Sequence, residues 1–324
     1  MKVGLYIYTP LFHHSSSISS FPKRKMAMKI PTIDFNQFTG ENKANALSVL
    51  HEACQNWGFF LVENHGIEDR VLEKVKLLVN KHYDENMKEE FYNSTVAKNL
   101  GKMTLSNVDW ESTFFICHKP TSNISHFANI SQDLCKAMEE EYIPEVIKIA
   151  EKLAELMCEN LGLQKAHIKQ LFNGTKGPSV GTKVAKYPEC PHPDLVRGLR
   201  EHTDAGGIIL LLQDDQVPGL EFQIDGGWFK IPPSKKNAIF VNIGDQIEVL
   251  TNGKYKSILH RVLAEKHGSR LSIATFYNPA MDALISPAPK LLYPDGYRFG
   301  DYLKFYNTTK FGDKERRFQS MKNM

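Results

Sequence analysis

At Gly181 the chain changes its hydrophobic period. Before it, apolar residues recur at helical spacing. Leu47, Leu50, Cys54 and Trp57 share one face of a predicted helix over 43–57. Val71, Val75, Leu78, Val79 and Tyr83 do the same over 68–92, and Val146, Ile149, Leu153, Leu156 and Met157 in a long helix that ends near Leu161, where Gly162 caps it. After Gly181 the helical spacing is gone. Short strand-like runs follow at about 181–187, 206–213, 219–224, 237–242, 258–264 and 270–278, separated by Gly, Pro and Asp. Strands of this length and spacing build a sandwich or a jelly roll. With strands also expected at 30–36 and 59–62, a loop-rich stretch at 94–130 and a helical tail at 300–322, the fold class is α+β.

The expected organisation is an N-terminal extension over 1–28, a mainly helical region over 29–175, a β core over 176–285 and a tail over 286–324. No Pro/Gly/Ser linker separates the halves, so they should pack as one unit. The extension has no acidic residue before Asp34 and clusters Ser15, Ser16, Ser17, Ser19 and Ser20, a composition that forms no core.

Composition narrows the function classes. A net charge of +3 over 324 residues leaves no electrostatic footprint for nucleic acid. No run of eighteen apolar residues occurs, so no membrane span is expected. The five cysteines, Cys54, Cys117, Cys135, Cys158 and Cys190, form neither a Cys-x-x-Cys pair nor an even framework. That pattern fits a reducing, cytoplasmic setting.

One constellation carries chemistry. In His202-Thr203-Asp204 two metal-capable side chains stand two apart, and on a strand positions i and i+2 face the same way. His260 is the candidate third ligand from a distant strand. Two histidines and one carboxylate leave open positions and suit iron(II), with three-ligand zinc as the rival. A lone His-x-Asp would be read as a plain surface or core pair. Here Tyr187 lies one strand earlier, and Arg270-Leu271-Ser272 one strand onward. An Arg and a Ser on one strand face can grip a carboxylate by charge and hydroxyl.

This series of His-x-Asp, distal His and Arg-x-Ser resembles the plant iron(II)/2-oxoglutarate-type dioxygenase superfamily, as do Trp57-Gly-Phe-Phe and Asn64-His-Gly-Ile. Within it, several blocks are similar to 1-aminocyclopropane-1-carboxylate oxidases: Asp109-Trp-Glu-Ser-Thr-Phe-Phe115, Ser122-Asn-Ile-Ser125, Gly198 through Asp215, Thr251-Asn-Gly-Lys-Tyr-Lys-Ser257, and the tail from Lys310 through Lys314-Glu-Arg-Arg to Lys322. The resemblance covers about 29–324. It implies a distorted double-stranded β-helix (jelly roll) flanked by helices, with Fe(II) on His202, Asp204 and His260. It also implies 1-aminocyclopropane-1-carboxylate as the small-molecule substrate, O2, ascorbate as co-substrate, and CO2 or bicarbonate as activator. Products would be ethylene, cyanide and CO2. Arg270, Ser272 and Tyr187 would bind a carboxylate, Lys183, Arg200 and Arg317 bicarbonate or ascorbate, and Phe276 and Thr182 would line the pocket. By strand alternation Lys183 should share a face with Tyr187, and Arg200 with His202. Arg317 reaches the site only if the tail folds back.

This chain departs from that subfamily at Glu201, where Ala is usual, at Lys186, where Asn usually precedes the Tyr-Pro-x-Cys-Pro segment, in the loop around 94–108, and in a shortened segment before Tyr293. Two rivals are a 2-oxoglutarate-dependent dioxygenase acting on a flavonoid or hormone, and a jelly-roll binding module that has lost its chemistry.

Overall fold

Gly58 is where the first helix gives way to the first buried strand. The helix Lys43–Glu52 runs on through a π turn at Ala53–Trp57, and Gly58 ends it with φ of 68°. Glycine takes this left-handed conformation without cost, and a Cβ here would stand 2.4 Å from the carbonyl oxygen of Lys256. The turn launches Phe59 and Phe60 into the core, both fully buried.

The computed structural model describes residues 29–101, 108–127, 129–233, 238–287 and 296–321. The extension over 1–28 and the shortened segment before Tyr293 therefore fall outside the described residues, as does part of the 94–108 loop. Eleven strands matter to the site: β1 (Thr32–Asp34), β2 (Phe59–Glu63), β3 (Ser112–Lys119), β4 (Ser179–Tyr187), β5 (Arg197–His202), β6 (Ile208–Gln213), β7 (Leu220–Ile224), β8 (Gly227–Lys230), β9 (Ile239–Ile243), β10 (His260–Leu263) and β11 (Arg270–Asn278). They form a seven-stranded sheet in the order β1-β2-β9-β6-β11-β4-β3 and a four-stranded sheet in the order β5-β10-β7-β8. The inner faces of the two sheets enclose a cavity, which is the jelly-roll arrangement.

The outer face of the large sheet supplies most of the core. Val180, Val184, Leu210, Leu212, Val241 and Ile273 pack in one cluster with Val146, Ile149, Leu153 and Met157 from the helix Ile143–Asn160. Truncating one such residue, Leu153 to Ala, is expected to cost ~2–5 kcal/mol. Lys186, one of the departures, donates to Asn80 at 2.6 Å on the helix Asp69–Asn86.

Most strand expectations match these elements. The loop-rich stretch, however, contains β3, a sheet-edge strand whose burial alternates while its hydrophobic pattern does not, and the expected strands omitted β5 and β8. Because β1, β2 and β3 pair into the same sheet as β4, β6, β9 and β11, the large sheet crosses the expected boundary between 29–175 and 176–285.

Candidate metal centre

His202 closes β5 and His260 opens β10, and the two residues lie directly opposite in the antiparallel ladder. Their rings are 4.3 Å apart, and the ring of Phe222 stacks on His260 at 4.7 Å. Asp204 follows two residues after His202. Its Oδ1 lies 3.7 Å from His202 Nε2 and its Oδ2 3.6 Å from His260 Nε2. Two donors each about 2.1 Å from one ion can lie up to about 4.2 Å apart, so these spacings fit a shared metal. Among the described residues this is the one group of three such side chains whose ligand atoms all lie within 4.8 Å of one another.

The backbone fixes which nitrogen faces inward. His202 Nδ1 lies 2.8 Å from the carbonyl oxygen of Arg200, and His260 Nδ1 lies 3.1 Å from that of Ile258. A carbonyl only accepts, so each Nδ1 carries the proton and each Nε2 lone pair points toward Asp204. Burial, and next the adjacent His260, push the His202 imidazole well below its usual range. It is therefore neutral, as a metal ligand must be. Asp204 is oriented in turn: Asn242 Nδ2 donates to its Oδ2 at 2.8 Å, and the amide of Asp245 donates to its carbonyl at 2.8 Å.

The inner cavity, of about 80 Å³, is lined by residues of both sheets, with Tyr187, Arg270, Ser272 and Phe276 on the large one. Arg270 is 2% exposed. One terminal nitrogen donates to Gln213 Oε1 at 3.2 Å, and the other, Nη1, is buried without a partner. No carboxylate among the described residues forms an ion pair with this guanidinium. A ligand carboxylate is what such an orphaned donor lacks. Tyr187 lies opposite Arg270 in the β4–β11 ladder, its ring 5.6 Å from the guanidinium.

The basic cluster is divided. Lys183 lines the cavity, where Glu111 holds its ammonium at 2.8 Å through both carboxylate oxygens. Arg200 does not line it. Strict alternation fails because β5 bulges just before His202, and the Arg200 guanidinium turns to Asp109, at 3.0 and 3.3 Å, and stacks 3.8 Å from Phe311. Arg317 does come back with the folded tail, but it stops behind the site. It is 2% exposed and donates to Thr203 Oγ1 and to the carbonyls of Thr309 and Lys310. Thr182 is misplaced in the sequence reading as well. As the neighbour of Lys183 it points to the opposite sheet face, where it bonds His118 at 2.9 Å and Thr275 at 3.0 Å.

Three residues at the site were given no role in the sequence. Lys310 lines the cavity beside Lys183; burial, followed by that neighbouring charge, lowers its pKa. It opens the tail block, but nothing local in the sequence marks it as part of the cavity. Asn242 had a signal, since it is the lone polar residue in Ile239-Phe-Val-Asn-Ile243. Asp109, which anchors Arg200, opens the Asp-Trp-Glu block. Beyond Lys183 and Lys310 the cavity widens into a mouth of about 630 Å³ walled by Phe115, Met281 and Leu303.

Known proteins match both halves. The family model of the 2OG-Fe(II) oxygenase superfamily covers residues 179–279, and the model described as non-haem dioxygenase in morphine synthesis N-terminal covers 30–133. The chain is 63% identical to 1-aminocyclopropane-1-carboxylate oxidase 1 of Arabidopsis thaliana, over 93% of this chain and 97% of that protein. It is 50% identical to 1-aminocyclopropane-1-carboxylate oxidase 2 of Malus domestica, over 90% and 91%. Among solved structures, JOX2 in complex with 2OG, Fe and JA superposes with a TM-score of 0.75 at 29% identity, covering 94% of this chain and 95% of that one. The dioxygenase for auxin oxidation 1 of Arabidopsis thaliana, in its complex with 2-oxoglutarate, gives 0.64 at 24% identity, covering 80% and 96%, a likeness of fold alone.

Proposed function

Because the chain belongs to the 1-aminocyclopropane-1-carboxylate oxidases, within the 2OG-Fe(II) oxygenase superfamily, we propose that His202, Asp204 and His260 are the protein ligands of its iron(II). The protein is a non-haem iron oxidoreductase that uses ascorbate, and the reaction assigned to it is oxidation of 1-aminocyclopropane-1-carboxylate by O2 to ethylene, cyanide and CO2. The observation that carries this reading is the identity of 63% across nearly the whole of both chains.

Iron(II) supplies the redox chemistry and open coordination positions for substrate and O2. The chain's residues do the remaining work. Arg270 Nη1 and Ser272 receive the carboxylate of the substrate, with the Tyr187 ring 5.6 Å from the guanidinium. Asn242 holds the Asp204 carboxylate in one orientation. Phe222, Leu211 and Phe240 keep the inner cavity apolar and exclude water. Lys183 and Lys310 at its mouth are the cations best placed for bicarbonate or ascorbate. Arg200 and Arg317, which the resemblance also implies for these anions, are held by Asp109 and Thr203 instead.

A cytoplasmic location is part of the same proposal, supported by five cysteines that are all unpaired. No helix among the described residues is long and apolar enough to cross a membrane. The test is ethylene release from 1-aminocyclopropane-1-carboxylate with iron(II) and ascorbate, run with and without 2-oxoglutarate. Ethylene independent of 2-oxoglutarate is expected. Succinate formed in step with product would favour the 2-oxoglutarate-dependent rival.

A further inference from the structure

The ladder between β5 and β10 slips just before His202. His260 pairs with His202 and Val262 with Leu199, so two steps along β10 span three along β5. Arg200 and Glu201 thus share the place of one residue opposite Arg261, which is a β-bulge. A bulge re-aims the side chain that follows it, and here that side chain is a metal ligand. The bulge also supplies the acceptor that sets the ligand's tautomer, because His202 Nδ1 donates to the carbonyl of Arg200.

Both bulge residues are tied to charged partners on other segments. Asp109 Oδ1 accepts from the Arg200 backbone amide at 2.9 Å and from its Nε at 3.0 Å, while Oδ2 accepts from Nη2 at 3.3 Å. Asp109 is itself fixed by a bridge to Arg197, and the amide of Trp110 donates to the Arg197 carbonyl at 2.8 Å. On the outer face of the small sheet, Glu201 accepts from Arg261 Nη1 at 2.9 Å. Arg261 is held on two further sides, donating to Glu221 at 2.8 Å and lying 3.8 Å over the ring of Trp228. Arg261 follows His260 directly, so the Glu201–Arg261 pair spans the same two strands as the two histidines, on the opposite sheet face. Burial is the largest single influence on the Glu201 carboxyl and would raise it, but the bond from Arg261, a backbone bond and the charges of Arg261 and Arg197 together lower it below its ordinary value.

We propose that Asp109 and Glu201 are positioning residues that clamp the Arg200–Glu201 bulge from two sides and so hold His202 in its metal-binding orientation. This rests on the reading of His202 as an iron ligand. Neither carboxylate touches the metal; each acts through the bulge. An Ala at position 201 would remove one clamp and leave Arg261 with Glu221 alone.

The test is metal affinity in the full chain, measured by titration with iron(II) under anaerobic conditions and with cobalt(II), whose absorption bands report ligand geometry. Asp109→Asn keeps shape and removes charge, and is expected to weaken metal binding about tenfold and shift the cobalt bands. Glu201→Gln is expected to weaken it roughly threefold, the double variant more than either, and Asp109→Glu to recover part of the loss. His202→Ala is the control. If it leaves metal affinity intact, the ligand reading itself fails. If it abolishes binding while Asp109→Asn and Glu201→Gln bind within about twofold of the parent with unchanged cobalt spectra, the clamp is refuted. A drop in melting temperature in both variants without change in metal affinity or spectrum would refute it too, by showing a brace of the fold only.

Discussion

The guanidinium of Arg317 donates to the hydroxyl of Thr203 at 2.6 Å, and Thr203 is the residue between the two metal-capable side chains of His202-Thr203-Asp204. The same tripeptide is gripped from the tail a second time, because the Tyr306 hydroxyl donates to the Thr203 carbonyl. Beneath it the fully buried Asp245 accepts from Thr203 at 3.2 Å and from the Tyr302 hydroxyl, with Arg317 3.6 Å away. The helices Phe299–Thr309 and Lys314–Met321 therefore bear on the metal centre through Thr203 and Asp245.

Arg317→Ala removes the cation from this buried group and is expected to destabilise the protein by ~3–5 kcal/mol, the usual cost of breaking a buried pair from one side. Thermal melts should show the loss, and metal titration a weaker site. The bicarbonate response of the iron-saturated variant should persist. A normal melt and normal iron affinity with the bicarbonate response gone would return Arg317 to the role of direct anion contact.

Arg270→Met keeps the length of a buried side chain and removes its charge. The concentration of 1-aminocyclopropane-1-carboxylate needed for half-maximal rate should rise by roughly tenfold or more, the worth of a charge-assisted bond. Iron affinity should be unchanged, because Arg270 is bonded to none of the three ligand residues. Ser272→Ala should give a smaller effect in the same direction. Unchanged substrate dependence in both variants would move the carboxylate elsewhere.

Of the two lysines at the cavity mouth, Lys183 is neutralised by Glu111, whereas no carboxylate among the described residues pairs with Lys310. Lys310→Met is expected to raise the ascorbate or bicarbonate requirement by about tenfold, and Lys183→Met by less. Steady-state rates at varied concentrations of each anion decide the order. The reverse order would show that Glu111 releases Lys183 when the anion arrives.

How far the site was legible depends on how local its signal was. The His202, Asp204 and His260 set could be read from spacing because each residue's chemistry is explicit. Strand alternation then placed Tyr187 and Lys183 correctly in one cavity. The same alternation misplaced Arg200, because a bulge shifts parity by one residue and leaves no mark in the hydrophobic pattern. Thr182 was assigned against its own parity with Lys183. Lys310 and Asp109 reach the site through tertiary folding alone, so nothing near them in sequence reports it. The edge strand β3 was lost because its sequence does not alternate as its burial does: Phe114 faces the more buried side, whereas its equally apolar neighbour Phe115 is exposed.

Behind the large sheet, His118 and Ser122 both bond Glu139, each at 2.8 Å. Burial is the largest single influence on the Glu139 carboxyl and would raise it, but these bonds and the neighbouring charges of His118 and Lys119 together hold the pKa below the ordinary 4.5. With the folded value depressed, the contribution to stability is present above the ordinary glutamate value and is lost as pH falls through the folded one. Glu139→Gln should therefore lower the melting temperature at neutral pH by the equivalent of about 1 kcal/mol. The gap to the parent should narrow below about pH 4. A gap that does not change with pH would show that the carboxylate's charge contributes nothing.

Both Lys310 and Arg317 come later in the chain than His260, the last of the three metal-capable residues. The closing segment of the chain therefore supplies both the lysine at the cavity mouth and the arginine behind Thr203. Undocked, that segment would leave His202-Thr203-Asp204 without its bonds from Tyr306 and Arg317. The grip of the last two helices on Thr203 is thus a hold on the tripeptide that carries two of the three metal-capable side chains.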